Sequence, residues 1–252
     1  MSDSTSACAV KTAIIGRGNV ASHLAKALSS SDEVAVSTVN PRTLEDLPDG
    51  CDMILISVAD RVLPEVGARL AARLPGYRGV VAHTAGSIDI SCVSSLFPHA
   101  GVFYPLQTFT KDVPLDYRRI PIFIEASDPL SLASLDRIAH IVSDHVETAD
   151  SRRRESLHVA AVFACNFTNH LYSLAYDILS EAGIRPDALL PLIEQTTAKL
   201  RRTSPGDAQT GPARRKDMNV IASHLDYLSE RLPGRPEMAE IYRLLTTSII
   251  EK

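Results

Sequence analysis

Two glycines near the start of the chain have the spacing of a phosphate-binding turn. Gly16 and Gly18 lie in the segment Ile-Ile-Gly-Arg-Gly-Asn-Val-Ala, which matches the pattern G-x-G-x-x-A. In such a turn the first glycine permits a tight bend, and the second lets the backbone approach a pyrophosphate at the N-terminus of the next helix. Ala21 replaces the third glycine and still allows close packing of helix and strand. The alternative is an ordinary strand-to-helix turn that contains two glycines.

The residues around this turn have the periodicity that the motif requires. An apolar strand at 10–15 precedes it, an amphipathic helix at 20–28 follows, and a second strand ends at Val39. This is the layout of a βαβ unit of ~30 residues. The sequence therefore predicts a dinucleotide site whose first contacts are Gly16, Arg17, Gly18, Asn19 and Val20.

The end of the second predicted strand indicates which dinucleotide binds. Proteins that bind NAD usually place Asp or Glu there, against the ribose hydroxyls. This chain has Asn40 and Arg42 instead. A carboxylate would repel a 2′-phosphate, whereas a guanidinium pairs with it through two hydrogen bonds. These residues favour NADP over NAD, with Arg17 as a second phosphate partner. A solvated loop charge is the alternative for Arg42.

Two further strand ends are expected at the cofactor crevice, because ligands bind outside the carboxyl ends of parallel strands. The first carries small residues that let the dinucleotide pass: Ser57, Val58 and Ala59. The second runs through His83 and Thr84, near the nicotinamide, to Ser87 as a substrate contact. His83 is either a proton carrier or a strand-end histidine satisfied by the backbone.

A third strand leaves the predicted sheet through Pro105. Tyr104 and Gln107 on either side of that proline would bring polar groups to a substrate. The alternative is a Tyr-Pro turn with a buried aromatic ring.

The helical pattern at 153–182 has a polar stripe of unusual composition. At ~100° per residue, one third of its circumference carries Glu155, His158, Val159, Val162, Asn166, Asn169, His170 and Ser173. The opposite face is the expected core face: Leu157, Ala160, Ala164, Phe167, Leu171 and Leu174. Amides and imidazoles on a semi-buried face need partners, either protein or ligand. We predict a substrate pocket in which His158 donates a proton and Asn166 and Asn169 orient the substrate. A network between helices or between subunits is the alternative.

A second candidate for substrate binding is the start of the helical pattern at 213–232. Gly-Pro at 211–212 is typical of a helix start. The cations that follow oppose the helix dipole, whereas free amides beside Arg214 would form an anion site. Thr210 and Arg214 are therefore predicted to hold a substrate carboxylate or a cofactor phosphate. A solvated basic turn is the alternative.

The predicted secondary structure that must position these residues changes in the middle of the chain, from alternating strands and helices to helices alone. Strand-like runs are expected at 10–15, 34–39, 53–58, 79–83, 101–104 and 120–125, with helices at 20–28, 62–74 and 130–142. This alternation predicts an α/β fold with a doubly wound, mostly parallel Rossmann sheet. After residue 150 only helical patterns follow, at 153–182, 186–202, 213–232 and 236–250. We expect a Rossmann NAD(P)-binding domain at 1–150 and an all-α substrate or dimerisation domain at 151–252.

Composition narrows the classes of partner. The 252 residues carry a net charge of −4 and are 45% hydrophobic, so neither a nucleic acid nor a membrane surface is expected as a partner. The four cysteines, Cys8, Cys51, Cys92 and Cys165, form no C-x-x-C pair, and no metal site is predicted. The N-terminus has no basic segment before an apolar run. We expect a cytoplasmic protein that acts on a small molecule.

Five motifs together resemble one family. They lie at 14–20, 83–87, 103–109, 158–170 and 210–214. From about residue 11 to residue 250 the chain is similar to Rossmann-like oxidoreductases whose C-terminal half is a domain of unknown function, loosely described as deazaflavin-dependent NADP oxidoreductases. More distantly it resembles pyrroline-5-carboxylate reductases and the 6-phosphogluconate and β-hydroxyacid dehydrogenases. The resemblance implies a homodimer formed through the helical domain, and ketopantoate reduction as one possible activity.

The chain departs from this resemblance at one position. The β-hydroxyacid dehydrogenases carry a catalytic Lys four residues before an Asn, and if Asn166 is that Asn, the Lys position is Val162. Either His158 takes over the proton transfer, or the chemistry differs, or there is none. Three functions stay open: an NADP-dependent reductase of a small carboxylated ketone or imine, a non-catalytic NAD(P)-binding sensor, and a scaffold dimer in which 155–173 is purely interface.

Overall fold

A computed structural model describes residues 9–252 of the chain and divides them into two units, up to Cys165 and from Asn166 onward. The N-terminal segment and Cys8, which the sequence analysis discusses, lie outside the described residues. No helix between residues 9 and 252 is long and apolar enough to cross a bilayer.

The first unit is built on a seven-stranded sheet in the order β2-β1-β3-β4-β5-β6-β7. The strands are β1 (Val10–Ile15), β2 (Val34–Val39), β3 (Met53–Ile56), β4 (Val80–His83), β5 (Ala100–Pro105), β6 (Ile122–Ala126) and β7 (Val146–Thr148). Neighbouring strands are parallel, except that β5 and β6 are antiparallel. The expected Rossmann-like fold with a helical C-terminal region is confirmed. Of the seven strands, only β7, which has three residues, was not predicted.

Both faces of the sheet are buried, which explains why its strands are short, nearly continuous apolar runs. Ile14 belongs to the layer under α1 (Asn19–Leu28) and α4 (Pro129–Val142). Its neighbour Ile15 points the other way, into the layer under α2 (Leu63–Arg73) and the short helix α3 (Ser91–Ser94). The carboxyl ends of the strands are thereby held rigidly from both sides.

All regular secondary structure described after β7 consists of helices, which are joined by turns. The helices are α5 (Ser151–Ala161), a π-helical segment (Val162–Phe167), α6 (Thr168–Glu181), α7 (Leu190–Lys199), α8 (Pro205–Ala208), α9 (Pro212–Arg215), α10 (Met218–Arg231) and α11 (Pro236–Ile250). The strand signal ends near residue 150, as the sequence indicates, whereas the two compact units divide at Cys165. The limits of independent domains stay a prediction.

Two expectations for the helical half were wrong. The single helix at 213–232 is two helices, because Lys216 has a left-handed backbone with φ of 56° and the Asp217 side chain caps α10 by accepting the Val220 N–H. The expected core face of 153–182 is largely exposed: only Leu174 is buried, while Phe167 and Leu171 are 51% and 36% exposed. The small core of the second unit, built around Leu174 and Leu228, does not cover that face.

Candidate functional site

The carboxyl ends of β1 to β5 surround one cleft in the first unit. Its volume is about 790 Å³, which is in the range of sites for small molecules and cofactors. The residues that line it lie at or after these strand ends and on α2 and α5. The cleft includes the position between β1 and β3 at which the strand order reverses, where open parallel sheets bind their ligands.

The two glycines of the first turn have different surroundings. Gly16 has a φ of 155°, and a Cβ there would lie 2.0 Å from the backbone oxygen of Ser57. Gly18 precedes α1, and a Cβ there would meet nothing within 4 Å. Within residues 9–252 no side chain caps α1, whose first turn contains no acidic residue. The first glycine therefore lets two strand ends meet, and the second leaves amides open for a pyrophosphate.

Four guanidinium groups line the cleft. Arg17 and Arg42 are the two predicted phosphate partners, and the structure adds Arg61 and Arg69. Asn40 does not line the cleft: its Oδ1 accepts the backbone N–H of Arg42 at 3.1 Å and so shapes the loop. This concentration of positive charge suits an anionic group such as a 2′-phosphate.

Arg69 also holds the loop that carries Arg42. Its guanidinium donates to the carbonyl oxygen of Pro41 at 3.3 Å and to the carbonyl oxygen of Arg42. Its Nη1 lies 3.8 Å from a carboxylate oxygen of Glu65, one turn earlier on α2. A helix side chain therefore fixes the backbone of the loop that carries Arg42 through the carbonyl groups of that loop.

The side chains at the floor of the cleft are small and only weakly polar. Ser57, Val58, Ala59 and Thr84 all line it, as predicted from the strand ends. The Thr84 hydroxyl donates to Ser57 Oγ at 3.1 Å. Asn19 and Val20 also line the cleft, and the Asn19 side chain donates to the carbonyl oxygen of Phe109 at 2.9 Å.

The opposite end of the cleft contains a Tyr–His pair. The hydroxyl of Tyr104, on β5, lies 3.3 Å from Nδ1 of His158, on α5, and their ring centroids are 6.2 Å apart in an edge-on arrangement. Both side chains line the cleft, together with Gln107. A Cβ on Gly86 would lie 2.8 Å from both His158 Nδ1 and Tyr104 Cζ, so only glycine fits beside the pair.

A buried ion pair lies near this end. Arg154, 1% exposed, forms a salt bridge with Glu125 and donates to the carbonyl oxygen of Ile88 and to Ser151. Burial raises the pKa of Tyr104, although the positive charge of Arg154 opposes that rise. The Tyr104 phenol therefore stays protonated at neutral pH.

His83 lies outside the cleft. Its side chain is fully buried at the end of β4, and its Nδ1 accepts the backbone N–H of Ala85 at 3.2 Å. Burial, reinforced by the charge of Arg154, lowers the pKa of His83 to about 4. One ring nitrogen of His83 thus has a backbone partner, whereas its buried Nε2 has no hydrogen-bond partner within residues 9–252. The role of His83 stays a prediction from the sequence. Ser87 does not line the cleft either, and its hydroxyl donates to Asp60.

The remaining predicted residues belong to the second unit. Asn166, Asn169, Thr210 and Arg214 all have exposed side chains there. Arg214 lies on α9, which has four residues only. Their assignment to catalysis and substrate binding stays a prediction from the sequence.

Sequence reasoning missed several residues that line the cleft. Asp60 and Arg61 lie four and five residues after the end of β3, and the rule about strand ends could have found them had it been carried beyond Ala59. Glu65 and Arg69 lie on α2, where no local pattern distinguishes them from solvated helix charges. Among residues 9–252 no cluster of three or more His, Cys, Asp or Glu is placed to hold a metal ion.

Comparison with known proteins gives both a sequence family and a fold. The profile of a family described as a domain of unknown function, DUF2520, matches residues 120–249. A crystallised protein from Bacteroides fragilis, described as a candidate NADP oxidoreductase, is 39% identical to this chain, with a TM-score of 0.86 over 97% of this chain and 99% of its own. No curated protein sequence matches the chain.

More distant likenesses concern the fold alone. An imine reductase from Myxococcus stipitatus, crystallised with NADP⁺, is 15% identical with a TM-score of 0.63, over 96% of this chain and 93% of its own. The 1-pyrroline-5-carboxylate reductase of Streptococcus pyogenes is 14% identical with a TM-score of 0.59, over 97% and 99%. The family resemblance inferred from the motifs is confirmed by the DUF2520 match and by the Bacteroides fragilis protein, and these distant structures share the fold.

Proposed function

Since the chain belongs to the DUF2520 family of Rossmann-like proteins, we propose that it is an NADP-dependent oxidoreductase. In this proposal a hydride passes between NADPH and a small carboxylated ketone or imine, of which ketopantoate is an example. The observation that carries the proposal is the cleft itself, because it joins an open glycine turn, a group of arginines and a Tyr–His pair.

In this proposal NADP would lie along the cleft from the arginines to the Tyr–His pair. The pyrophosphate would lie on the amides after Gly18, where an added Cβ would meet no protein atom. The 2′-phosphate would lie beside Arg42 and Arg17, since a guanidinium binds phosphate through two parallel hydrogen bonds. NAD lacks that phosphate and would leave the arginines unpaired, so we expect it to bind more weakly.

The reduction would need little from the protein beyond orientation and a proton. Bound NADPH supplies the hydride, and the protein supplies binding and electrostatics. His158, which lines the cleft, acts in this proposal as a proton source. Asn166 and Asn169 orient the reacting carbonyl or imine, and Thr210 and Arg214 hold the carboxylate. The distant fold relatives that reduce imines support this substrate class by analogy.

The helical unit is proposed to form a homodimer. Several of its large apolar side chains are strongly exposed: Leu192 63%, Met218 60%, Leu200 52% and Leu244 71%. Monomeric soluble proteins rarely leave large contiguous apolar surfaces uncovered, and a second copy of the same surface would cover them. A location in the cytosol stays a prediction from the sequence.

A non-catalytic NADP sensor is the second candidate. One observation favours it: no lysine is among the residues that line the cleft of the described chain. If Asn166 corresponds to the Asn of the β-hydroxyacid dehydrogenases, Val162 stands at the position of their catalytic lysine. A sensor and a reductase both bind NADPH, and only turnover separates them.

The test of cofactor choice is a thermal-shift titration with NADPH and NADH. Arg42→Ala should weaken NADPH binding by ~10- to 100-fold, the equivalent of one or two charge-assisted hydrogen bonds, and should leave NADH binding unchanged. Arg73→Ala is the matched control, because Arg73 is exposed near the end of α2 and does not line the cleft. Equal affinity for both nucleotides in the unmodified protein would refute the NADP assignment.

Turnover is then measured as NADPH oxidation with 2-oxo acids, including ketopantoate, and with cyclic imines. A reductase oxidises NADPH with at least one of them, and His158→Ala lowers kcat by ~10²-fold or more if His158 supplies the proton. Tight binding of NADPH without oxidation across the panel selects the sensor.

A further inference from the structure

The Tyr–His pair lies at the far end of the cleft from the arginines. Arg42 follows β2, whereas Tyr104 is on β5, and the sheet order places four strand spacings between these strands. At ~4.8 Å per spacing this amounts to ~19 Å. A ligand with its phosphate at Arg42 must extend across the floor to bring its other end to Tyr104. The pair therefore lies where the reactive end of the dinucleotide would be.

The structure fixes this pair rigidly. Tyr104 is 8% exposed and belongs to a buried cluster with Val102 and Phe123, which holds its ring. Gly86 leaves no space on the other side, since a Cβ there would lie within 2.8 Å of both His158 and Tyr104. A rigidly held hydroxyl that also faces a cleft is suited to proton transfer, because general acids act through a fixed geometry.

We propose that Tyr104 is the catalytic residue that gives the proton to the substrate, and that His158 acts through it by returning a proton to the phenol. This inference rests on the proposed function and changes the order of the two residues within it. His158 is then a positioning and relay residue, because its Nδ1 faces the Tyr104 hydroxyl.

The protons and electrons balance in this scheme. The substrate carbon gains the hydride from bound NADPH, and the C=O double bond becomes a C–O single bond. The Tyr104 O–H bond breaks as its proton moves to the substrate oxygen, and the Nδ1–H of the His158 cation restores the phenol. Neutral His158 keeps its Nε2–H and then regains a proton at Nδ1 from solvent, which its half-buried position permits.

The surroundings of the pair keep the Tyr104 phenol protonated, chiefly through burial. Tyr104 interacts with the positive charge of Arg154 and the negative charge of Asp60, besides His158. Because burial raises its pKa, the phenol keeps its proton until a substrate takes it. When Nδ1 of His158 donates to the phenol oxygen, the O–H group of Tyr104 is free to point at the substrate.

The test compares a ketone with a substrate that needs no proton. Ketopantoate requires hydride and proton, whereas N-methyl-1-pyrrolinium-2-carboxylate is already a cation and requires hydride alone. Tyr104→Phe keeps the ring and should lower kcat with ketopantoate by ~100-fold or more. The fold decrease in kcat with ketopantoate should be at least ~30 times the fold decrease with the pyrrolinium. KM and NADPH affinity should change little.

The outcomes separate this inference from the proposed function. If the unmodified protein oxidises NADPH with neither probe, both fail. If it turns over ketopantoate and Tyr104→Phe is as fast, or loses equal activity with both probes, the Tyr104 assignment fails alone. Turnover of the pyrrolinium only would also overturn it, since no proton is then delivered.

A readout independent of turnover follows from the hydrogen bond itself. In protein labelled with ¹⁵N-histidine, the Nδ1 resonance of His158, assigned with His158→Gln, should shift in Tyr104→Phe. An unchanged resonance would show that the pair does not exist in solution. If Tyr104→Phe does not fold, uniform 3-fluorotyrosine labelling should move the alkaline limb of kcat with ketopantoate to lower pH, and an unmoved limb would overturn the proposal.

Discussion

An added methyl group meets different surroundings in the two units. At Gly16, Gly79, Gly86 and Gly101 of the sheet unit, a Cβ would lie 2.0, 2.3, 2.8 and 2.4 Å from the nearest atom. At Gly183, Gly211 and Gly234 of the helical unit it would meet nothing within 4 Å. A Cβ at Gly18, Gly50 or Gly76 of the sheet unit would also meet nothing within 4 Å, so close packing requires glycine only at the first four positions, where the nearest atom belongs to the Ser57 backbone at Gly16 and to a side chain at the other three.

The same contrast holds for large apolar side chains. The strands of the first unit bury theirs in two layers, one on each face of the sheet. The second unit has a small core of Leu174, Leu228, Met238 and Ala239, and it leaves Leu192 and Leu244 more than half exposed. The first unit thus buries the apolar faces of its strands, although it leaves Leu130 and Val159 more than half exposed on its helices, whereas the second unit has a small core and several exposed leucines.

The largest effect on stability is expected at Gly16, where an added Cβ would come closest to another atom. Gly16→Ala should lower the free energy of unfolding by about 3 kcal/mol or more, because its Cβ would overlap the Ser57 carbonyl oxygen and its φ of 155° is one that side chains rarely adopt. Chemical denaturation measures this loss, and NADPH binding should be lost with it.

Two matched glycines serve as controls for that substitution. Gly18→Ala should leave the free energy of unfolding nearly unchanged but weaken NADPH binding, because its Cβ would project into open space that the pyrophosphate needs. Gly234→Ala, in the helical unit, should alter neither quantity. Equal destabilisation by all three substitutions would contradict the contrast between the units.

The fold of the sheet unit could be predicted because its signals are local. Short apolar runs, each bounded by turn residues, gave six of the seven strands, and β7 was missed because Val-Glu-Thr at 146–148 has no apolar pattern. The helical half was harder, since the pattern at 213–232 conceals an N-cap at Asp217. Whether its apolar face is covered depends on a partner that periodicity does not reveal.

The site could be predicted as far as topology alone places residues. Strand ends brought Arg42, Ser57, Thr84 and Tyr104 to one cleft because parallel strands end at the same edge. Arg69 was missed, since its contact with the Arg42 loop joins a helix face to a distant turn. The orientation of His83 could not be predicted either, because it depends on packing that strand periodicity leaves open.

The exposed leucines of the two units provide the next test. Leu244→Asp, at a position 71% exposed on α11, should raise the dimer dissociation constant at least ~100-fold, because each copy loses an apolar side chain worth ~2 kcal/mol and buries a charge. Leu130→Asp on α4, 55% exposed in the sheet unit, should leave the dimer intact. Light scattering over a concentration series distinguishes them, and a monomeric unmodified protein would overturn the proposed dimer.

The smallest expected effect is the pH dependence of stability that the buried His83 side chain contributes. In the folded protein burial lowers the pKa of His83 from 6.5 to about 4, so the unfolded chain binds a proton that the folded one excludes. This contribution to stability is fully present above about pH 6.5 and is lost as the pH falls towards 4. Between pH 7 and pH 5 the loss should be about 2 kcal/mol.

The measurement is urea denaturation at several pH values, compared with His83→Gln. The variant has no group that titrates there, so the difference in pH dependence between the two proteins isolates His83 from the other histidines. If both lose stability equally between pH 7 and pH 5, His83 is protonated as readily in the folded chain as in the unfolded one. It would then have access to solvent or ligand, and its place as a proton carrier in the cleft would have to be reconsidered.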